Sequence, residues 1–365
     1  MLASRVLRRR VNFAFVFGAA LLIVGCSAHN APIYDPTGAA GRARPGAFAT
    51  PAPSLLVTLP TPSQLAFVDP LHLQIQTLLP VAGNPTDIVM HPTHLFAFLN
   101  VNGGSALQMV DVANRKLAST IPVPAGFDRF VFNADGDRIY AVNSSGTMSV
   151  VSVVHKTVLT QIVVGSQSGG IAYSQKYHKI YVSTPDTNSI AVLDADTLAP
   201  GKPFHVGRCQ HGAGTDPCEP HDLATSADGS YLLAASRFGE IVALDARSGE
   251  VLGIMGHSER DSPQRRIRFF TIDPANGEIA AGDGACCNQT VWLVPTMPPF
   301  SSETVLTSVH YPLFFVGVVF DSAGDAWGAQ GAFAPRFGKV VNVPFIRGGG
   351  ELLLGSAPGG IAYSP

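Results

Sequence analysis

The segment that decides the fold occurs twice in the chain, as GSQSGGIAYSQ at residues 165–175 and as GSAPGGIAYSP at residues 355–365. Two further segments, 138–153 and 179–194, share a second pattern: an apolar strand ends in a polar turn, and an alternating strand follows. Such self-similarity indicates a repeat architecture, in which each unit buries its apolar face against its neighbours.

The repeated pattern predicts seven units. Seven segments are candidate inner strands: 87–92, 129–134, 170–175, 222–227, 269–274, 317–322 and 360–365. Seven others are candidate second strands: 54–59, 95–101, 138–143, 179–184, 231–237, 278–284 and 326–331. The inner strands start about 41 to 52 residues apart, which leaves room for four strands per unit. Apolar residues alternate with a period of two, which favours a sheet over a helix.

These features predict an all-β fold, a seven-bladed β-propeller of four-stranded blades over residues 54–365. The domain starts on a second strand and stops on an inner strand. The C-terminal strand is therefore expected to join the first blade and to close the ring without an exposed edge. A charged fraction of 14%, with 37 Gly and 28 Pro, suits buried strands and tight turns. A β-sandwich is the competing fold, but it does not account for seven matched units.

Four short segments carry a family resemblance: IYAVN at 139–143, IYVST at 180–184, FNADGD at 132–137 and ATSADG at 224–229. They resemble the YVTN-type β-propeller repeats of exported bacterial proteins. The resemblance implies an exported protein and the seven-bladed fold already predicted. It implies little about activity, because many functions are built on one fold.

Residues 1–25 have the pattern of a lipoprotein signal peptide. Basic residues between Arg5 and Arg10 precede an apolar run, Val11–Val24, which is too short to be a spanning helix. The run ends in IVGC, which resembles the bacterial lipobox and implies that Cys26 carries the lipid. Residues 26–53 are rich in Ala, Pro and Gly and are predicted to be a flexible tether. We expect an outer-membrane lipoprotein facing the periplasm; the alternative is an ordinary signal peptide, with Cys26 unused.

The charge balance bears on possible partners. The net charge of −2 becomes −6 once the four arginines of the signal peptide are removed. A mildly acidic domain is not the pattern of a general nucleic-acid binder, although the basic run at 265–268 is a local exception. We expect a monomer that meets the membrane through its lipid and meets a protein or a small molecule through the propeller.

One face of a propeller gathers the loops from outer strands to the next inner strands and the loops from second to third strands. We call it the top face, and inner strands begin there. The expected ring of residues at its channel mouth is Asp87, Asp128, Arg129, Gly169, His221, Asp222, Arg268, Gly317 and Gly359. This ring could bind a polar or anionic small molecule, or it could be a solvated mouth whose charges pair with one another.

Four cysteines fall on the same predicted face: Cys209, Cys218, Cys286 and Cys287. The first two lie in an insertion, residues 205–222, that lengthens one top loop. A disulfide between them is one interpretation; a zinc or copper site using His211, His221 and Asp222 is the other, although the spacing is not that of a typical zinc site. Cys286 and Cys287 could pair with each other or across to the first two.

No catalytic motif of the common hydrolase, metalloprotease, nucleotide-binding or haem type is present. The sequence therefore favours a periplasm-facing, lipid-anchored scaffold that binds through its top-face loops. A metal- or quinone-associated propeller enzyme, of dehydrogenase-associated, lactonase or lyase type, is the alternative.

Overall fold

The computed structural model describes residues 52–211, 214–255, 267–273, 277, 279–283, 289–294, 298, 300, 307–311, 314–331, 339–343, 351–354 and 356–365. The predicted signal peptide, Cys26 and nearly all of the tether lie outside these residues, as do Cys286 and Cys287. Within the described part, no helix has the length and apolar character needed to cross a bilayer.

Strands make up nearly all of the regular structure. The first fifteen, with two short 3₁₀ helices (Asn102–Gly104 and Pro185–Thr187), are β1 (Ser54–Leu59), β2 (Gln64–Asp69), β3 (Gln74–Pro80), β4 (Asp87–Met90), β5 (Phe96–Val101), β6 (Ala106–Asp111), β7 (Lys116–Pro122), β8 (Arg129–Phe132), β9 (Arg138–Val142), β10 (Thr147–Ser152), β11 (Thr157–Val163), β12 (Ile171–Ser174), β13 (Lys179–Thr184), β14 (Ser189–Asp194) and β15 (Phe204–His205). The remaining strands are β16 (Arg208–His211), β17 (Gly214–Pro217), β18 (Asp222–Thr225), β19 (Tyr231–Ala235), β20 (Ile241–Asp245), β21 (Val251–Met255), β22 (Ile267–Ile272), β23 (Ile279–Asp283), β24 (Gln289–Val294), β25 (Thr307–Tyr311), β26 (Phe314–Phe320), β27 (Ala326–Gly331), β28 (Lys339–Val343), β29 (Glu351–Leu353) and β30 (Gly360–Ser364).

The described strands form seven four-stranded antiparallel sheets and one two-stranded hairpin, β16–β17. The inner strands β4, β8, β12, β18, β22, β26 and β30 surround a central channel. The first sheet has the order β3-β2-β1-β30, with Ser54 opposite Ser364 and Thr58 opposite Gly360. The predicted propeller, its inner and second strands and its closure by the C-terminal strand are therefore confirmed.

The inner strands of blades 6 and 7 begin earlier than predicted. Strand β22 starts at Ile267 rather than at residue 269, and β26 starts at Phe314 rather than at residue 317. Each strand carries a bulge, between Ile267 and Phe269 and between Phe315 and Gly317. A bulge inserts a residue into the alternation, so the period-two pattern is lost at those positions.

Adjacent blades are joined by apolar packing and by a repeated tyrosine contact. Phe98 of blade 2 packs with Phe130 and Phe132 of blade 3 in one buried cluster. The Tyr140 hydroxyl donates to the Ala195 carbonyl of the next blade at 3.1 Å, and Tyr181 donates to Ala246 at 2.5 Å. Burial raises the pKa of both tyrosines, so they remain hydroxyl donors at neutral pH. These are the tyrosines of IYAVN and IYVST.

Candidate functional site

Two aspartates stand at equivalent places on the channel mouth. Asp87 opens β4 in the sequence Pro85-Thr86-Asp87, and Asp222 opens β18 in Pro220-His221-Asp222. In each case a side-chain oxygen accepts the amide of the next residue, at 2.9 Å for Asp87 and 3.0 Å for Asp222. The two blades therefore present their carboxylates by the same local geometry.

The glycine pairs of the repeated segment explain why these aspartates fit where they do. A Cβ on Gly170 would lie 2.6 Å from the Asp222 Cα, and a Cβ on Gly360 would lie 3.2 Å from the Asp87 Cα. Gly169 and Gly359 meet the backbone just before each aspartate, at the His221 and Pro85 carbonyl oxygens, with 2.2 and 2.5 Å to a hypothetical Cβ. A side chain at these glycines would push the aspartate-bearing strand away.

Arg129, at the start of β8, interacts electrostatically with both aspartates. Its guanidinium is 3.9 Å from the Asp87 carboxylate. Attraction to Asp222, more than to Asp87 and Asp128, raises the pKa of Arg129. Three residues from blades 2, 3 and 5, Asp87, Arg129 and Asp222, thus form one electrostatic group, which we call the mouth cluster.

Arg129 does not fully compensate the cost of burying the two aspartate carboxyl groups. Burial raises the pKa of both Asp87 and Asp222, and the attraction of Arg129 offsets this only in part. The charge of Asp87 raises the pKa of Asp222 further. The Asp87 side chain is 27% exposed toward the channel, so a ligand can reach it. When both carboxyl groups are ionised, one guanidinium balances only one of their two negative charges, so a second cation would stabilise the pair.

The channel, including the mouth cluster, has a volume of about 760 Å³, and most of its other lining residues are apolar. This volume is within the usual size range of small-molecule sites, roughly 300–1,000 Å³. Its lining includes Ile88, Phe130, Ile171, Leu223, Val318 and Ile361. The described site therefore combines charged groups at one end with a space for an apolar body.

The other predicted mouth residues have different positions. The Asp128 carboxylate accepts the Ser144 amide at 2.6 Å, so it holds a neighbouring top-face turn in addition to its attraction to Arg129. The His221 carbonyl accepts a hydrogen bond from Ser183 at 3.1 Å. Gly317 packs near Ile361 on the channel wall. Arg268 lies at the bulge of β22, and its side chain is outside the described part.

The insertion at 205–222 contains a two-stranded hairpin. Strands β16 and β17 pair with Cys209 opposite Asp216, and Cys209 and Cys218 form a disulfide. Both cysteines are fully buried, in a cluster that includes Leu223, the residue after Asp222. The hairpin base is held by hydrogen bonds from the Glu219 amide to Asn188 at 2.9 Å and from the Arg237 amide to the Cys218 carbonyl at 2.9 Å.

The disulfide excludes a metal site that uses the Cys209 and Cys218 thiolates and excludes their pairing with the other two cysteines. Because Cys209 and Cys218 bind each other, neither is a thiolate ligand and neither pairs with Cys286 or Cys287. The His211 side chain lies outside the described part, as do Cys286 and Cys287. Among the described residues, no group of three His, Cys, Asp or Glu side chains is arranged to hold a metal ion.

Reduction of this disulfide is expected to lower the free energy of unfolding by about 2–3 kcal/mol, the value typical for a loop this short. Urea unfolding of the oxidised protein and of the Cys209→Ser/Cys218→Ser variant measures it. A Cys286→Ser/Cys287→Ser variant is the control and should retain the sensitivity of the parent protein to reductant. Equal stability of the Cys209→Ser/Cys218→Ser variant and the oxidised parent would contradict the assignment.

Comparison with known proteins supports the fold alone. A functionally unknown protein from Desulfotomaculum acetoxidans superposes with a TM-score of 0.65 at 14% identity, over 85% of this chain and 98% of that one. The chain is a β-propeller. A Kuenenia stuttgartiensis hydrazine synthase (TM-score 0.55, 20% identity, 74% and 80% covered) and the Cps50 (Swd1) β-propeller domain from Myceliophteria thermophila (0.56, 12%, 72% and 84%) are also similar. No protein-family model and no curated protein matches the sequence.

Proposed function

We propose that this propeller is an exported, lipid-anchored binding protein of the YVTN type, and that its channel mouth binds a small molecule with a cationic head and an apolar body. The mouth cluster is the observation that carries the proposal. A cation placed beside Asp87 and Asp222 would supply the positive charge that Arg129 alone does not provide. The apolar channel below would enclose the rest of the ligand.

Other features support each part of the proposal. The lipobox-like IVGC and the Ala/Pro/Gly-rich segment after it support export and anchoring at the outer membrane, with the propeller in the periplasm. The repeat segments and their interblade tyrosines support the YVTN type. From the sequence, the ring could bind a polar or anionic small molecule or pair its own charges. We propose a cationic head instead, because the described carboxylates of the mouth cluster outnumber its guanidinium.

The affinity for an amine is expected to depend on Asp222. Phenethylamine should bind and phenethyl alcohol, its neutral counterpart, should bind much more weakly, because only the ammonium group brings a positive charge to the two carboxylates. Asp222→Asn should weaken amine binding by on the order of tenfold, the equivalent of about 1.4 kcal/mol. Isothermal titration calorimetry measures both effects.

Asp186→Asn is the matched control for that titration. Asp186 is a top-face carboxylate in the turn between β13 and β14, where it accepts a hydrogen bond from Ser166, and it is not among the residues that line the channel. Its substitution should leave amine affinity unchanged. Equal binding of amine and alcohol, or equal loss in both variants, would contradict a cation site at the mouth.

A further inference from the structure

The face opposite the mouth carries exposed apolar turns. This bottom face consists of the turns from inner to second strands and from third to outer strands. Leu71, Leu95 and Val154 stand in such turns with 84%, 56% and 71% of their surface exposed. They belong to blades 1, 2 and 3, which are consecutive in the ring. The other large exposed apolar side chains in the described part lie within strands, and none is in a top-face turn.

The turns themselves do not require these apolar side chains. In blade 1 the Asp69 carboxylate accepts the Leu71 amide at 2.8 Å and the His72 amide at 3.2 Å. In blade 3 the Ser152 hydroxyl accepts the His155 amide at 3.1 Å. These two turns are therefore held by hydrogen bonds that do not involve the apolar side chains. The apolar tips point to a surface outside the propeller.

The N-terminal connection leaves the propeller on the same face. Inner strands begin at the top, so the antiparallel partner of β30 begins at the bottom, and that partner is β1, starting at Ser54. The 28 residues from Cys26 to residue 53 would span about 30 Å as a flexible coil. A lipid on Cys26 would keep this face of blade 1 close to a bilayer.

The two faces differ in their suitability for a membrane surface. The described top face mixes Asp128, Asp186 and Glu219 with Arg208 and Arg237, and none of its turns carries a large exposed apolar side chain. The bottom turns of blades 1 to 3 mix acidic residues with Arg115 and Lys156. Their distinguishing feature is the apolar tips.

We propose that Leu71, Leu95 and Val154 dock the bottom face of blades 1 to 3 on the phospholipid surface, with the tips at the boundary between headgroups and acyl chains. The channel mouth then faces away from the membrane. This inference rests on the lipid anchor of the proposed function and adds a second contact that fixes orientation. Ligand binding at the mouth is independent of it.

Tryptophan depth measurements test the docking. The full, lipidated chain is reconstituted in phosphatidylglycerol–phosphatidylethanolamine vesicles as Leu71→Trp, Leu95→Trp or Val154→Trp, with the parent protein as the background for Trp292 and Trp327. We expect the added emission to shift to the blue and to be quenched by brominated lipids in all three variants. Ser145→Trp, on an exposed top-face turn of blade 3, is the control and should show neither effect.

Each alternative result has one meaning. Vesicles that float with the protein while the three bottom-face variants remain unquenched would overturn the docking and leave the anchor intact. A blue shift without quenching, together with a dimer in sedimentation, would show that a second copy covers the patch and would also overturn the docking. Protein that does not float at all would overturn the anchor together with the docking.

Discussion

Deletion of residues 358–365 is expected to abolish cooperative folding of the whole propeller rather than to damage one blade. It removes β30 and with it the buried Ile361 and Ala362, and it leaves the inner edge of β1 unpaired. Burial of two apolar side chains and five backbone positions is worth more than about 5 kcal/mol, which is comparable to the whole stability of a typical domain. Circular dichroism and urea unfolding of the truncated protein measure the loss.

Removal of Pro365 alone is the control for this deletion. Pro365 is exposed and lies beyond the last strand, so its loss should leave the unfolding transition unchanged. A deletion protein that still unfolded in one sharp transition, with only a small loss of stability, would show that the ring does not depend on its C-terminal strand.

Substitution of Arg129 by Met is expected to destabilise the protein by about 1–2 kcal/mol at neutral pH. It leaves Asp87 and Asp222 without their shared cation; a fully buried pair would cost more, but the Arg129 side chain is 46% exposed. The pKa values of both carboxyl groups are already raised in the folded state, and the loss of Arg129 raises them further. The destabilisation is therefore present at pH values above these raised pKa values, where both groups are ionised. It should disappear as the pH falls toward the ordinary value of about 4 and both groups take up protons.

Arg237→Met is the matched control. Arg237 pairs with Glu219 at 2.9 Å and is 47% exposed, so it equals Arg129 in accessibility and is closer to its partner. Surface pairs of this kind contribute about 0–1 kcal/mol. Urea unfolding of both variants between pH 4 and pH 8 gives the comparison. An Arg129→Met loss no larger than that of Arg237→Met, or one independent of pH, would contradict the charge balance described for the mouth.

The sequence was sufficient to predict the ring because period-two strands and a repeated segment specify blades directly. It also placed Asp87, Arg129 and Asp222 on one face, since inner strands in a propeller begin at the same rim. It did not reveal that the glycine pair of each GGIAYS segment packs against the start of an aspartate-bearing strand. A sequence pattern could have indicated this contact, because a Pro-x-Asp segment begins the next blade after both copies of the repeat.

Other features depend on strand register and on packing, which residue spacing does not specify. The disulfide between Cys209 and Cys218, one of the two interpretations of the insertion, is confirmed, but the sequence left three connectivities open because the choice depends on the register of the hairpin. The bulges in β22 and β26 break the alternation on which strand limits were predicted. The raised pKa of each mouth carboxyl reflects burial by neighbouring blades, which residue spacing does not encode.

The most direct test of the central claim is the proton balance of amine binding. Titration of phenethylamine by calorimetry at about pH 5, in two buffers of different ionisation enthalpy, measures protons released on binding. A cation at the mouth should lower the raised pKa values of Asp87 and Asp222, so the parent protein should release protons and Asp87→Asn/Asp222→Asn should not. Binding with no proton release, or with the same release in the double variant, would show that the mouth carboxylates are not the site.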